Sequence, residues 1–273
     1  MLTALREIWN YRETLWVLVV RQLKVRYKGS LLGFFWSLVP PIALVFILVI
    51  LLEQVIWRER NVQDLSAYML CAMFAWYFFN AAVLDGSSCI LEHAALVRAF
   101  PFPRDILPIA TLLSNLIHFL LSLAIFMVYL QVLQVQLTAK VFLLPVIIVG
   151  QSLFTLGLLF FLSYLCVYYP DVKYLMESLI VRLMFFLCPI IYFAEQVPQH
   201  LQGWYLLNPL SAYFTAYRHI MLYGHPPNLG EAVALNQVSW GFYLFLTLVF
   251  SFLVFLAGFS IFQRHKHRLV EWL

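Results

Sequence analysis

Leu31-Leu-Gly-Phe-Phe-Trp-Ser-Leu-Val-Pro-Pro-Ile-Ala-Leu-Val-Phe-Ile-Leu-Val-Ile-Leu-Leu52 is a run of twenty-two residues without a charge, closed by Glu53 and Arg58. At about 1.5 Å of rise per residue, a helix of this length covers the roughly 30 Å hydrocarbon core of a bilayer. A basic stretch, residues 1–30, precedes the run and no small-residue cleavage site follows it, so it does not read as a cleaved signal. Several similar runs come after it. The chain reads as an all-α polytopic membrane protein, which points its function toward transport, membrane chemistry or assembly.

Composition agrees. Hydrophobic residues are 64% of the 273, charged residues 11%, and the mean hydropathy is +0.88. Soluble domains have about 45–50% apolar and about 25% charged residues. The net charge of +4 is no nucleic-acid signal, because the basic residues cluster at the chain ends and between apolar runs. Cys71, Cys89, Cys166 and Cys188 all fall in or beside apolar runs without metal-ligand spacing, and read as small buried thiols.

Six spans are expected, at about 31–56, 68–91, 106–133, 141–169, 174–194 and 239–262. Uninterrupted runs of this length mean helices, since barrel strands would alternate over about 10 residues. Lys and Arg set the orientation. Arg6, Arg12, Arg21, Lys24, Arg26, Lys28, Arg98, Arg104, Lys173, Arg264, Lys266 and Arg268 fall on one side, against Arg58, Arg60, Lys140 and Arg218 on the other. Arg182 lies inside the fifth span. This bias places both termini in the cytoplasm.

The chain is expected to be one permease domain over 1–273. Within it, residues 1–30 form an interfacial helix, 31–194 carry spans one to five, 239–262 form span six, and 263–273 are a basic tail. Leu5, Ile8, Trp9, Leu15, Trp16, Val19 and Leu23 fall roughly on one stripe of the first segment, with Arg6, Arg12, Arg21 and Lys24 mostly elsewhere. Such a helix is either a basic anchor on anionic lipid or a collar framing an opening.

No phosphate-cradling Gly-x-x-x-x-Gly-Lys-Ser/Thr occurs. Gly29 and Gly33 match the membrane packing pattern Gly-x-x-x-Gly at the mouth of the first span, where a bend or a close neighbour is expected. There is no His-Glu-x-x-His and no Gly-x-Ser-x-Gly, so no catalytic constellation is visible. Glu53, Asp85, His118 and Arg182 are ionisable groups within spans, which default to functional candidates. Arg182 could reach an interface or pair with Glu177 or Asp85. These groups are too scattered for a proton relay.

The connection Glu92-His-Ala-Ala-Leu-Val-Arg-Ala-Phe-Pro-Phe-Pro-Arg-Asp105 reads as a short helix stopped by Pro101 and Pro103. Leu96, Val97 and Phe100 beside Arg98 would offer an apolar docking side; an ordinary capped loop is the plainer reading. The last connection, 195–238, holds Pro198, Pro209, Pro226 and Pro227 around an aromatic stretch broken at Asn208-Pro209, which suits short re-entrant helices on the outer side. Aromatic residues away from the usual interfacial belts include Phe34, Phe35 and Trp36, Trp76, Tyr77, Phe78 and Phe79, and Phe185, Phe186, Tyr192 and Phe193. Rings stack on the polarised C–H face of a sugar; packing and lipid contact are the alternatives for each.

Several motifs, in order along nearly the whole chain, resemble the type-2 ATP-binding-cassette exporter permeases for cell-surface polysaccharides. They are Arg21-Gln-Leu-Lys-Val-Arg-Tyr-Lys-Gly-Ser-Leu-Leu-Gly-Phe-Phe-Trp36, Phe102-Pro-Arg-Asp-Ile-Leu-Pro108, Tyr169-Pro-Asp-Val-Lys-Tyr174, Pro189-Ile-Ile-Tyr192 and Leu207-Asn-Pro-Leu210. As a set they are similar to the O-antigen and teichoic-acid branch. The resemblance implies two copies of this chain with two copies of a separate nucleotide-binding subunit, which would hold ATP and Mg. It implies a coupling helix within 92–104, with Glu92, Leu96, Arg98, Phe100 and Arg104 meeting that ATPase. Asn208 and Pro209 would belong to outer gate helices. Phe34, Phe35, Trp36, Tyr77, Phe78, Phe185, Phe186 and Tyr192 would line a channel for a lipid-linked polymer in the bacterial inner membrane.

Three other readings stand behind this one, in descending order: a type-2 exporter of a drug or lipid, an ion-coupled carrier, and a membrane-embedded glycosyltransferase. The first usually lacks a long basic interfacial helix. The second would need no ATPase, and the third would need an acidic loop that Asp171 and Glu195 alone do not supply.

Overall fold

The computed structural model describes residues 2–27, 33–51, 65–100, 102–135, 137–192, 208–223 and 240–266. The expected interfacial helix is broken in two, α1 (Leu2–Asn10) and α2 (Arg12–Tyr27), with Tyr11 at the joint. Leu18 and Val19 of α2 are buried, and Leu15 and Leu23 pack beside them. Trp16, expected on that stripe, is instead 60% exposed. At about 100° per residue it stands one step off the line through Leu15, Val19 and Leu23, and only that line meets the bundle. Trp9 is likewise exposed.

Gly33 has a φ of +48°, a left-handed conformation that L side chains disfavour, and it turns the chain into α3 (Phe35–Leu51). Gly29 lies outside the described residues, as do Glu53 and Phe193. Pro40 and Pro41 inside α3 withhold two N–H groups from the helical ladder, which loosens its first turns.

The hub is α4 (Leu65–Glu92), twenty of whose 28 residues are buried. It is apolar on every side because neighbours surround it. Its alanines 67, 72, 75 and 82 let them approach closely. Rings fill the remaining space: Phe74 meets Phe126 edge-on, Phe78 stacks on Phe119 and Phe79 on Phe154. After the short α5 (Ala94–Ala99) come α6 (Ile106–Val132), a 3-10 turn over Ala139–Leu143, and α7 (Leu144–Tyr168).

The expected fifth span, 174–194, is displaced and shortened. It comprises α8 (Asp171–Leu175), a π-helical turn (Met176–Ile180) and α9 (Val181–Leu187). Cys188 stops it in an extended conformation (φ −96°, ψ 147°) because a residue before proline is pushed out of the helical region, and Pro189 follows. Next come α10 (Pro209–Arg218), a second π-helical turn (His219–Tyr223) and α11 (Trp240–His265). The rest of the 195–238 connection and the tail beyond Lys266 lie outside the described residues.

Among the described residues there is no strand. Leu65–Glu92, Ile106–Val132, Ala139–Tyr168 and Gly241–His265 are each long and apolar enough to cross a membrane. The chain is a polytopic helical membrane protein. A large apolar core surrounds α4, and a smaller one gathers Leu18, Val19, Val97, Ile106, Phe160 and Phe262 at the end where α2 lies.

Candidate functional site: a polar groove between two end segments

Gln22 and Arg26 stand one turn apart on α2 and face Thr111, Ser114 and Asn115, which share one face of α6 by the same spacing. Gln22 donates to Thr111 Oγ1 at 3.2 Å and accepts from Ser114 Oγ at 2.8 Å. Arg26 donates to Asn115 Oδ1 at 3.0 Å and pairs with Asp85 of α4 at 2.5 Å. Asn115 Nδ2 donates to the same carboxylate at 3.2 Å and to the Thr111 carbonyl at 3.0 Å. Asp85 therefore pairs with Arg26, not with Arg182, which is exposed.

Gln22, Arg26, Asp85, Thr111 and Ser114 line a cavity of about 360 Å³, together with Arg21, Glu92 and His93. Two cations and two carboxylates face one another there, so the pocket has little net charge and many hydrogen-bonding groups. A second cavity of about 170 Å³ shares Arg26 with it and is walled by Asn115, Phe74, Tyr77, Phe78, His118 and Phe119, with Leu38 and Pro41 of α3. A polar cavity thus adjoins an aromatic one at Arg26. The sequence singles out Asp85 and His118 as ionisable groups and holds Gln22 within a longer motif, whereas Thr111, Ser114 and Asn115 are neutral residues whose only signal in it is their helical spacing.

At the same end, Glu92 closes α4, accepting from Ser88 Oγ at 2.6 Å and lying 3.5 Å from Lys173 Nζ of α8. His93 Nδ1 lies 2.8 Å from the Cys89 carbonyl, and α5 begins one residue on. Of the apolar side expected for α5, Val97 is buried and Leu96 packs partly against the same small core. Arg98 is exposed, and Phe100, just past the helix, is 63% exposed. Arg104, half-buried, donates to the carbonyl of Lys266. Burial pulls its guanidinium below the ordinary value, with the neighbouring Asp105 carboxylate opposing.

The aromatic candidates divide. Phe35, Trp36 and Phe186 are exposed at 61%, 58% and 67%, on α3 and α9, which both flank α4. Phe34 is half-buried, 4.9 Å from the His118 ring, and Tyr77 lines the smaller cavity. Phe185 packs edge-on to Trp76 at 5.6 Å. Phe78 is buried, 5.1 Å from Phe119. The carbonyl of Tyr192 accepts from Tyr68 Oη at 3.2 Å.

At the opposite end Asn208 caps α10, accepting from the Leu210 N–H at 3.1 Å while its amide lies 3.3 Å from Cys188 Sγ. Pro209 follows as the first helical residue, where its missing N–H costs nothing. Arg218, which reads in the sequence as a loop cation, is 2% exposed. It donates to the Tyr68 carbonyl at 3.0 Å and the Ile190 carbonyl at 2.9 Å, with its guanidinium 3.5 Å over the Tyr68 ring. Tyr213 and Ser251 hydroxyls, 2.6 Å apart, tie α10 to α11.

Comparison with known proteins agrees with this architecture. The family model described as "ABC-2 type transporter" matches residues 13–222. The chain is 31% identical over 241 residues to the O-antigen export system permease protein RfbA of Myxococcus xanthus, covering 88% of this chain and 92% of that protein. It is 24% identical over 258 residues to the RfbA of Klebsiella pneumoniae, covering 94% and 93%. It is 23% identical over 236 residues to the polysialic acid transport protein KpsM of Escherichia coli, covering 83% and 86%. With more than half of its length matched, from α2 through α10, the chain belongs to the ABC-2 type transporter family.

Proposed function

We propose that the chain is the membrane-spanning subunit of an ATP-driven exporter of a lipid-linked cell-surface polysaccharide. The names of its relatives support the substrate class, O-antigen in three cases and polysialic acid in a fourth. The observation that carries the reading is the groove: a nearly neutral, hydrogen-bonding cavity that adjoins a ring-lined one at Arg26. Polyhydroxylated sugars bind through such polar groups and stack their C–H faces on aromatic rings.

In this reading α3 and the α8–α9 segment are the first and fifth of six spans, and both termini are cytoplasmic. Two copies of the chain face each other with Phe35, Trp36 and Phe186 toward a shared passage. Two copies of a nucleotide-binding subunit, carrying ATP and Mg, dock on α5 from the cytoplasm. The complex sits in the cytoplasmic membrane of a bacterium, and α10 helps close its outer end. The four membrane-length helices and the exposed Arg98 and Phe100 are compatible with this arrangement.

The test is purification of the tagged chain from its host with identification of any stoichiometric partner. A one-to-one ATP-binding subunit, with cell-surface polysaccharide retained inside cells when the chain is deleted, supports the reading. A chain that purifies alone and moves solute on an ion gradient overturns it.

A further inference from the structure

The end of the last span is fastened from both directions to the loop that follows α5. Arg104 donates to the carbonyl oxygen of Lys266, the first residue past α11. Lys266 Nζ in turn donates to Asp105 Oδ2 at 3.2 Å and lies 3.8 Å from Glu7 Oε2 of α1. Its own backbone N–H still bonds the Phe262 carbonyl at 2.8 Å, so the lysine extends the last turn of α11. Three segments far apart in sequence therefore meet at one ammonium group.

This is not a loose surface pair. The Asp105 carboxylate is 0% exposed, its Oδ1 has no hydrogen-bond partner among the described residues, and it makes no capping bond to α6. The lysine side chain is 14% exposed. A buried carboxylate is costly unless a cation stays beside it. Stability alone does not call for charge here, because a well-packed apolar pair is often as stable as a buried ion pair. What the pair adds is resistance to separation.

The adjoining α5 needs that resistance. It is six residues long and Val97 is its one buried residue. A push on its outer face reaches the bundle through the end of α4 on one side and through Arg104 and Asp105 on the other. We propose that Arg104, Asp105 and Lys266 are positioning residues of the transport cycle, a two-way clasp that makes α11 and α1 follow the α5 loop when the ATPase partner drives it. This rests on the exporter reading above.

The readout is polysaccharide exported per ATP hydrolysed, with the full chain assembled with its ATPase subunit and variants compared at equal membrane abundance. Asp105→Asn combined with Lys266→Met removes both charges together and leaves none buried alone. Export per ATP is expected to fall at least about fivefold, the lower end of usual coupling between sites, without a fall in melting temperature. Lys266→Arg, which keeps the cation, is expected to retain most of the coupling. A wild-type export-to-ATP ratio in the double variant overturns the clasp. If the double variant does not accumulate, Arg104→Gln leaves the buried pair intact, and a wild-type ratio there overturns it equally. A wild-type chain that recruits no ATPase would instead remove the exporter reading, and the clasp with it.

Discussion

Gly157 of α7 and Gly258 of α11 meet backbone to backbone. A β-carbon on Gly258 would fall on the carbonyl oxygen of Gly157, and one on Gly157 would come within 2.7 Å of Phe255 Cα. Lipid tails are as apolar as the helices, so association in a membrane relies on close packing, and small residues at the crossing allow it.

Gly258→Ala is therefore expected to destabilise the α7–α11 contact by about 1–3 kcal/mol or more, since the obstacle is backbone and cannot swing aside. Gly241→Ala, where a β-carbon meets nothing within 4 Å, is the control and is expected to be neutral. Thermal unfolding in detergent compares the two. Equal melting temperatures would show that the helices re-space freely.

The Arg26–Asp85 pair is partly open to solvent, with side-chain exposures of 31% and 44%. Asp85→Asn is accordingly expected to cost about 1 kcal/mol or less in stability. Export should nonetheless fall several-fold, because the groove loses a carboxylate that organises both Arg26 and Asn115. A variant with normal export would reduce this network to helix packing.

Phe78 and Phe186 separate packing from passage. Phe78→Ala is expected to cost about 3–5 kcal/mol as a buried aromatic deletion, lowering the amount of protein in the membrane. Phe186→Ala, at a site 67% exposed, is expected to leave abundance unchanged and to slow export. Export rates normalised to membrane abundance decide between them. Normal export for Phe186→Ala would leave that ring a lipid contact.

Phe100→Ala and Arg98→Ala are expected to reduce co-purification of the ATPase subunit while leaving the melting temperature within about 0.5 kcal/mol of equivalent stability, as for surface positions. Glu92→Ala should act differently, loosening α8 from the end of α4 by removing the Lys173 and Ser88 contacts. Pull-down stoichiometry checks both. Undiminished recovery of the ATPase with Phe100→Ala would place the docking surface elsewhere.

The sequence by itself determined the helical membrane character, because long uncharged runs have only one economical way to satisfy their backbone in lipid. Positions of the long apolar helices between 65 and 168 and of the last one were legible to within a few residues, and so was the short helix after Glu92. The fifth span was less so: its apolar run continues past the helix, and Pro189 ends the helix at Leu187, seven residues short of the expected 194, by backbone sterics that hydropathy does not register. Tertiary structure alone decided which apolar rings are interior, since Phe78 and Phe186 are chemically identical and differ only in what surrounds them. It also decided the partners of the charges. Asp85 found Arg26, Arg218 found the Tyr68 carbonyl and Lys266 found Asp105, across separations of 59, 150 and 161 residues. No local pattern encodes such pairs, because the fold brings the partners together only after the helices have packed.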